Sequence, residues 1–250
     1  MVAKIQALAM GLVRLPLAVS NGKLNTKAIP VAIKGFSRAD YMEHLYQLKT
    51  KGWLKEGFNA VVSEPFVAIG NDTPSRVRDF AQGTVCWAVR HLKQSVFTKP
   101  PEEILTIWLF KDAVSYRKYC KALWGEEPDT PYGYYSRTHK VLVMNIATGG
   151  GTLAHEIVHP FVQANFSDCP AWFNEGLGTL YEQSGEEKQQ IHGYTNWRLA
   201  GLQKAIKAKI TEPLTTIMAT TENEFYGEKS GIYYAQARSR AFRRSRARKI

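Results

Sequence analysis

Cysteine is scarce, and no long apolar run occurs. Cys86, Cys120 and Cys169 make no C-x-x-C pair and no disulfide framework, so a stapled scaffold and a cysteine-based zinc ribbon are both left out. They read as free, mostly buried thiols. No stretch of eighteen apolar residues is present, so no transmembrane span is expected. There is no internal repeat. The glycine triplet Gly149-Gly150-Gly151 is not followed by Lys-Ser or Lys-Thr, which removes the phosphate-loop reading. Acidic residues are outnumbered, 22 against 33 Lys and Arg, for a net charge of +11. Six of those basic residues lie in 239–250, which has no acid. The basicity is therefore largely a property of a tail, and nucleic acid or an anionic membrane is a partner only through it. A composition 44% hydrophobic and 12% aromatic is that of a globular chain.

What the sequence does contain is His155-Glu156-Ile157-Val158-His159. On a helix, residues four apart share a face, so His155 and His159 can offer two imidazole nitrogens to one point. That suits zinc (Zn2+), which accepts His nitrogen at about 2.0–2.1 Å. Glu156 can reach a water at the same point without ligating the metal, as a general base must. A catalytic zinc needs a third protein ligand and an open position. Glu175, in Trp172-Phe173-Asn174-Glu175-Gly176-Leu177-Gly178, is the candidate. Asp168-Cys169-Pro170 reads as the start of a new helix, which places Glu175 in its second turn. The competing reading is an amphipathic core helix whose histidines are merely hydrogen-bonded.

HEIVH followed by WFNEGLGTLYE resembles the gluzincin zinc metallopeptidases, and most closely the small bacterial peptidase-MA-like proteins. The resemblance covers roughly 66–238 and is specific over 155–182. It implies a zincin-like fold, His155, His159 and Glu175 as zinc ligands, Glu156 as general base, and a peptide or protein substrate. Two departures are visible. Pro160 directly follows the second histidine and is expected to kink the helix. The Asp that thermolysin-like enzymes carry four residues after the third ligand is here Thr179, whereas the Glu that aminopeptidase-like relatives carry seven residues after it is matched by Glu182. Residues 175, 179 and 182 share a helix face, so Glu182 is either the acceptor for a ligand histidine's second N–H or an exposed helix carboxylate. Those relatives also supply a Tyr from a Y-E-K-G segment. Ile232-Tyr233-Tyr234-Ala235-Gln236 resembles it, with Tyr234 in the matching place and Tyr233 as the fallback. The plain alternative for Tyr234 is a core or surface residue. His139, His192 and Asn145 stay outside the metal's immediate surroundings. The G-x-M-E-N segment that grips a free amine is missing, which favours endopeptidase over aminopeptidase.

The rest of the chain reads as α+β: a small mixed sheet with packed helices, then a helical subdomain carrying Glu175. The expected divisions are an N-terminal region 1–65, a zincin-like domain 66–238 and a basic tail 239–250. Residues 1–20 hold Lys4, an apolar stretch and Ala18-Val19-Ser20. They are either a secretory leader or an ordinary N-terminus, the latter favoured, with a cytoplasmic location favoured over export. Helices are expected over 39–48, 75–96, 113–123 and 196–207, the third with Val114, Tyr116 and Tyr119 on its buried side. Strands are expected over 66–69 and 104–110. Residues 52–62 suggest a hairpin with Trp53 and Phe58 turned inward, and 132–137 and 140–146 form another around Thr138-His139. Thr152 is the expected cap of the HEIVH helix, and 140–146 is placed beside the cleft. The segment 211–221 reads as an unpatterned connector. Phe242 and Ile250 are the only large apolar residues of 239–250. That is too few for a packed helix, whose apolar stripe spans about 100°, so a C-terminal truncation relative to the family is expected. Two further functional readings stand beside the peptidase: a catalytically impaired or non-catalytic peptidase-like protein, and a nucleic-acid or anionic-membrane binder acting through the tail.

Overall fold

The computed structural model describes residues 19–20, 23–24, 35–187 and 190–247. Residues 1–18 of the candidate leader over 1–20 and the last three residues of the chain lie outside the described residues. The chain divides into two units, Met1–Gly35 and Phe36–Ile250. In the first, Val19–Ser20 pairs antiparallel with Lys23–Leu24.

The second unit is built on a five-stranded mixed sheet. Its strands are β1 (Asn59–Ser63), β2 (Phe66–Gly70), β3 (Leu105–Phe110), β4 (Gly133–Ser136) and β5 (Val141–Asn145), in the order β1-β2-β3-β5-β4. The three inner strands run parallel, with Ala68 opposite Ile107 and Ile107 opposite Leu142. The two outer strands are antiparallel hairpin arms. Parallel strands are buried on both faces and read as continuous apolar runs, and every residue of β2, β3 and β5 is buried.

Each face has its own core. On one, Phe66, Ala68, Ile107, Leu109, Leu142 and Met144 meet a long helix and α5 (Gly151–Asn165). The long helix begins as α2 (Pro74–Asp79), passes through a π-helical stretch, Phe80–Cys86, and ends as α3 (Trp87–Ser95). On the other face, Val67, Ile69, Trp108, Phe110, Val141 and Val143 meet α1 (Arg38–Thr50) and α4 (Ala113–Trp124). Capping boxes start both of these helices, Ser37 with Asp40 and Asp112 with Ser115, satisfying first-turn N–H groups. Tyr116 and Tyr119 of α4 pack inward as expected, but Val114 is 77% exposed.

Beyond α5 come α6 (Ala171–Tyr181), a hairpin of β6 (Ser184–Glu187) and β7 (Gln190–Gly193), then α7 (Arg198–Lys207), α8 (Leu214–Ala219), α9 (Glu222–Phe225) and α10 (Ser230–Ala247). Three sequence expectations change here, and one element had no counterpart in the sequence reading. The first hairpin is formed by 59–70, not 52–62, although Trp53 and Phe58 do pack on the second core. The segment 211–221 holds α8. The β6–β7 hairpin carries no alternation strong enough to read. And α10 does not stop at 238: it continues to Ala247, with Ala241 and Phe242 packed on the first core. The first half of this helix is held by close approach. A Cβ on Gly176 of α6 would lie 3.0 Å from the carbonyl oxygen of Ala237. There α10 packs through small residues and backbone, which a count of large apolar side chains overlooks. Arg238 is buried within it and donates to the Tyr194 carbonyl. Desolvation lowers its pKa to about 10.

Phe161 ties α5 to this frame. It is fully buried, stacks on Phe97 at 5.7 Å and lies 6.4 Å from Phe66. Phe161→Ala is expected to cost about 3–5 kcal/mol in urea unfolding. The exposed control Val114→Ala should stay within about 0.5 kcal/mol.

Candidate metal centre

The chain enters α5 from β5 through a short 3-10 turn, Ile146–Thr148, and Gly149, whose φ of 98° lies where side chains are disfavoured. The cap position belongs to Gly150, and Thr152 lies inside the first turn. Leu153, Ile157, Val158, Phe161 and Val162 bury one face of α5 against the sheet. His155, Glu156 and His159 occupy what remains, and they too are buried. Pro160 does not end the helix, which runs unbroken to Asn165.

α6 crosses this polar face and brings Glu175 to it. His155 Nε2 lies 3.0 Å from Glu175 Oε2, and His159 Nε2 lies 3.9 Å from Glu175 Oε1. The crossing requires Gly178, where a Cβ would sit 2.8 Å from His155 Nε2. Each imidazole is oriented from its far side. His155 Nδ1 lies 3.2 Å from Glu182 Oε1, and His159 Nδ1 lies 2.9 Å from Asn174 Oδ1. Both partners are oxygen acceptors, so each Nδ1 carries the proton and each Nε2 is the nitrogen aimed at Glu175. Glu182 is itself gripped by Arg198, which donates from Nη2 at 2.6 Å and from Nε at 2.9 Å, and by Asn196 at 3.2 Å.

Electrostatics follow from this packing. Burial alone would depress the His155 pKa, but hydrogen bonds to Glu175 and Glu182 outweigh it and push it up to about 10. Burial opposes ionisation of both carboxylates as well. The His159 charge and the His155 hydrogen bond nevertheless bring Glu175 down to about 2, while His155 and Arg198 bring Glu182 down to about 2. Glu156 differs: burial raises its pKa, in part against the attraction of the two histidines. Its Oε2 lies 3.5 Å from His159 Nε2, beside the triad and outside it.

No family model matches this chain, and no curated protein matches it. The donor set must speak for itself. One atom each from His155, His159 and Glu175 lies within 4.8 Å of the others. A tetrahedral zinc with ligand bonds of about 2.0–2.2 Å separates its ligand atoms by roughly 3.3–3.6 Å, so these side chains fit such an ion with small rotations. Two imidazoles and one carboxylate also suit ferrous iron. A buried imidazole that holds its proton this tightly marks a site that attracts positive charge.

The triad lies in a cleft of about 1280 Å³. Its walls are β4 with Gly133, Tyr134 and Tyr135, the polar face of α5, and Arg198, Tyr226 and Tyr234 from the helical half. The strand beside the cleft is therefore β4 and not 140–146, because β5 lies inside the sheet between β3 and β4. Tyr234 lines the cleft, with the Arg198 guanidinium 5.0 Å from its ring centre. Burial and the nearby Glu175 and Tyr226 raise its pKa. Tyr233 is buried and stacks on Phe225 instead. His139 sits beside Trp124, His192 is on β7, and Asn145 caps the 3-10 turn, all apart from the triad. Sequence reasoning missed Asn174, Arg198 and Tyr226. The first adjoins a candidate ligand and was open to inspection, whereas no local pattern marks the other two.

Two outcomes are expected. Gly178→Ala should weaken metal binding by about 10- to 100-fold in chelator competition, with far-UV circular dichroism unchanged. Metal uptake by chelator-treated protein must also displace the His155 proton. Because that pKa is raised, the proton is still held at neutral pH and is lost only near pH 10. Affinity should therefore climb by about tenfold per pH unit between pH 7 and 9, with one proton released per metal ion in a weakly buffered titration.

Proposed function

We infer that the protein is a zinc-dependent peptidase of zincin-like architecture, related in design to the gluzincins. One observation carries the reading. Two imidazoles and a carboxylate converge within 4.8 Å in a cleft, with a further carboxylate, Glu156, beside them and outside the ligand set. A purely structural cluster has no use for a raised-pKa carboxylate at its open side. A proton acceptor does.

His155, His159 and Glu175 would hold the ion. When bound, it would lower the pKa of a water towards about 7 and polarise the scissile carbonyl. The protein's own groups supply the rest. Glu156 takes the proton from the attacking water and returns it to the leaving amine. Tyr234, on the opposite wall, donates to the carbonyl oxygen as it gains charge, a contact commonly worth a few kcal/mol. Glu182 and Asn174 keep the histidine rings turned so that Nε2 faces the ion. β4 has one side paired to β5 and its other side open to the cleft, so an extended peptide can add to it as a further strand across Glu156. A cleft open along β4 favours cleavage within chains over removal of end residues.

The test is metal analysis of purified protein beside hydrolysis of casein. About one zinc per chain and measurable hydrolysis are expected. Glu156→Gln should keep the metal and lose at least about 100-fold in rate, as removal of a general base does. His155→Ala, His159→Ala and Glu175→Ala should lose both. A Glu156→Gln variant that hydrolyses casein at the parental rate would refute the assignment.

A further inference from the structure

The two oxygens of Glu175 have different neighbours. Oε2 faces His155 Nε2 at 3.0 Å. Oε1 accepts a hydrogen bond from the Tyr226 hydroxyl at 2.7 Å. Tyr226 follows α9 directly, 51 residues after Glu175. Thr221 and Glu224 form a capping box at the start of α9, and Glu222 pairs with Arg137 of the β4–β5 turn at 3.7 Å. Phe225 is fully buried, with its ring 5.5 Å from Tyr226, 5.9 Å from Tyr233 and 5.3 Å from Tyr234. The anchored Phe225 sets the direction in which the next side chain leaves the backbone.

A carboxylate can bind a cation through one oxygen or two. With two, it fills a position that water or a substrate carbonyl needs at a catalytic ion. A donor fixed on one oxygen removes that choice. Building on the metallopeptidase reading above, we propose that Tyr226 is a positioning residue that occupies Oε1 and leaves Glu175 only Oε2 for the ion. The hydrogen bond also fixes the rotation of the carboxylate plane, so Oε2 is presented to His155 Nε2 before any ion arrives. Tyr234 also lies within electrostatic reach of Glu175, but Tyr226 makes the 2.7 Å hydrogen bond to Oε1 and is the one assigned to the ligand, while Tyr234 is assigned to the substrate.

The test uses the full chain loaded with Co(II) alone, its visible absorption recorded for the parent and for Tyr226→Phe, which keeps the ring and its packing. Casein hydrolysis is measured on the zinc-loaded proteins. The variant is expected to retain cobalt, to lose absorption intensity as a second carboxylate oxygen raises the coordination number, and to lose about 10- to 100-fold in kcat with little change in KM. An unchanged cobalt spectrum overturns the proposal even where activity falls, because Tyr226 then acts on substrate directly. Complete loss of cobalt overturns it as well, since a released Glu175 keeps both ligand atoms. Failure of the parent to bind either ion is a separate result, and it removes the metal reading itself.

Discussion

An imidazole with an ionised carboxylate against each of its nitrogens is held protonated unless a cation takes a proton's place. His155 is in that position, between Glu175 and Glu182. Much of the helical half is arranged around this requirement. Glu175 reaches His155 only because α6 crosses close to α5, which excludes a side chain at 178. Glu182 reaches it because it keeps helical backbone angles at the end of α6, seven residues and two turns after Glu175. Two buried carboxylates beside one histidine would leave excess negative charge, and Arg198 offsets it with a two-pronged contact to Glu182. Removing any one of these groups strands a buried charge, which costs more than the pair itself contributes.

The sheet serves the site by holding α5 still. That helix has no free face: its apolar side is part of the core, and its polar side is covered by α6 and the cleft. A helix held on both sides keeps two histidines one turn apart at fixed height above β4. The π-helical stretch Phe80–Cys86 lies on the same side of the sheet. Its Thr84 hydroxyl would stand 3.1 Å from a Cβ at Gly150, at the point where α5 begins. π-helical turns often accompany functional sites, and this one is shaped against the entry to the candidate metal helix.

The sequence was most informative where interactions are local. His155 and His159 are four apart on one helix, Glu175 sits in the next helix, and Glu182 lies seven further on. Helical periodicity alone puts each on the correct face. The mixed sheet with packed helices was legible from the apolar runs at 66–69 and 104–110. The edge of the sheet was misread, although a clue existed. Val141-Leu142-Val143-Met144 is a continuous apolar run, typical of an inner strand, whereas Gly133-Tyr134-Tyr135-Ser136 is the polar-tinged arm. The continuation of α10 was hidden because a single large side chain, Phe242, with Ala241 beside it, suffices to seat it on the first core. Tyr226 could not have been found. It meets Glu175 across 51 residues, from a helix of four residues in a stretch without periodicity.

The distribution of the site along the chain bears on how it comes into being. The three candidate ligands and both histidine-orienting groups fall between residues 155 and 182, and Arg198 follows soon after. The two cleft tyrosines of the helical half are residues 226 and 234. A chain made from its N-terminus and folding as it emerges assembles the cation-attracting cage first. The tyrosines proposed to act at that cage come later in the chain, Tyr226 directly after α9 and Tyr234 in α10. On the peptidase reading proposed above, the groups assigned to capture of an ion are thus synthesised before the tyrosines assigned to positioning and substrate contact.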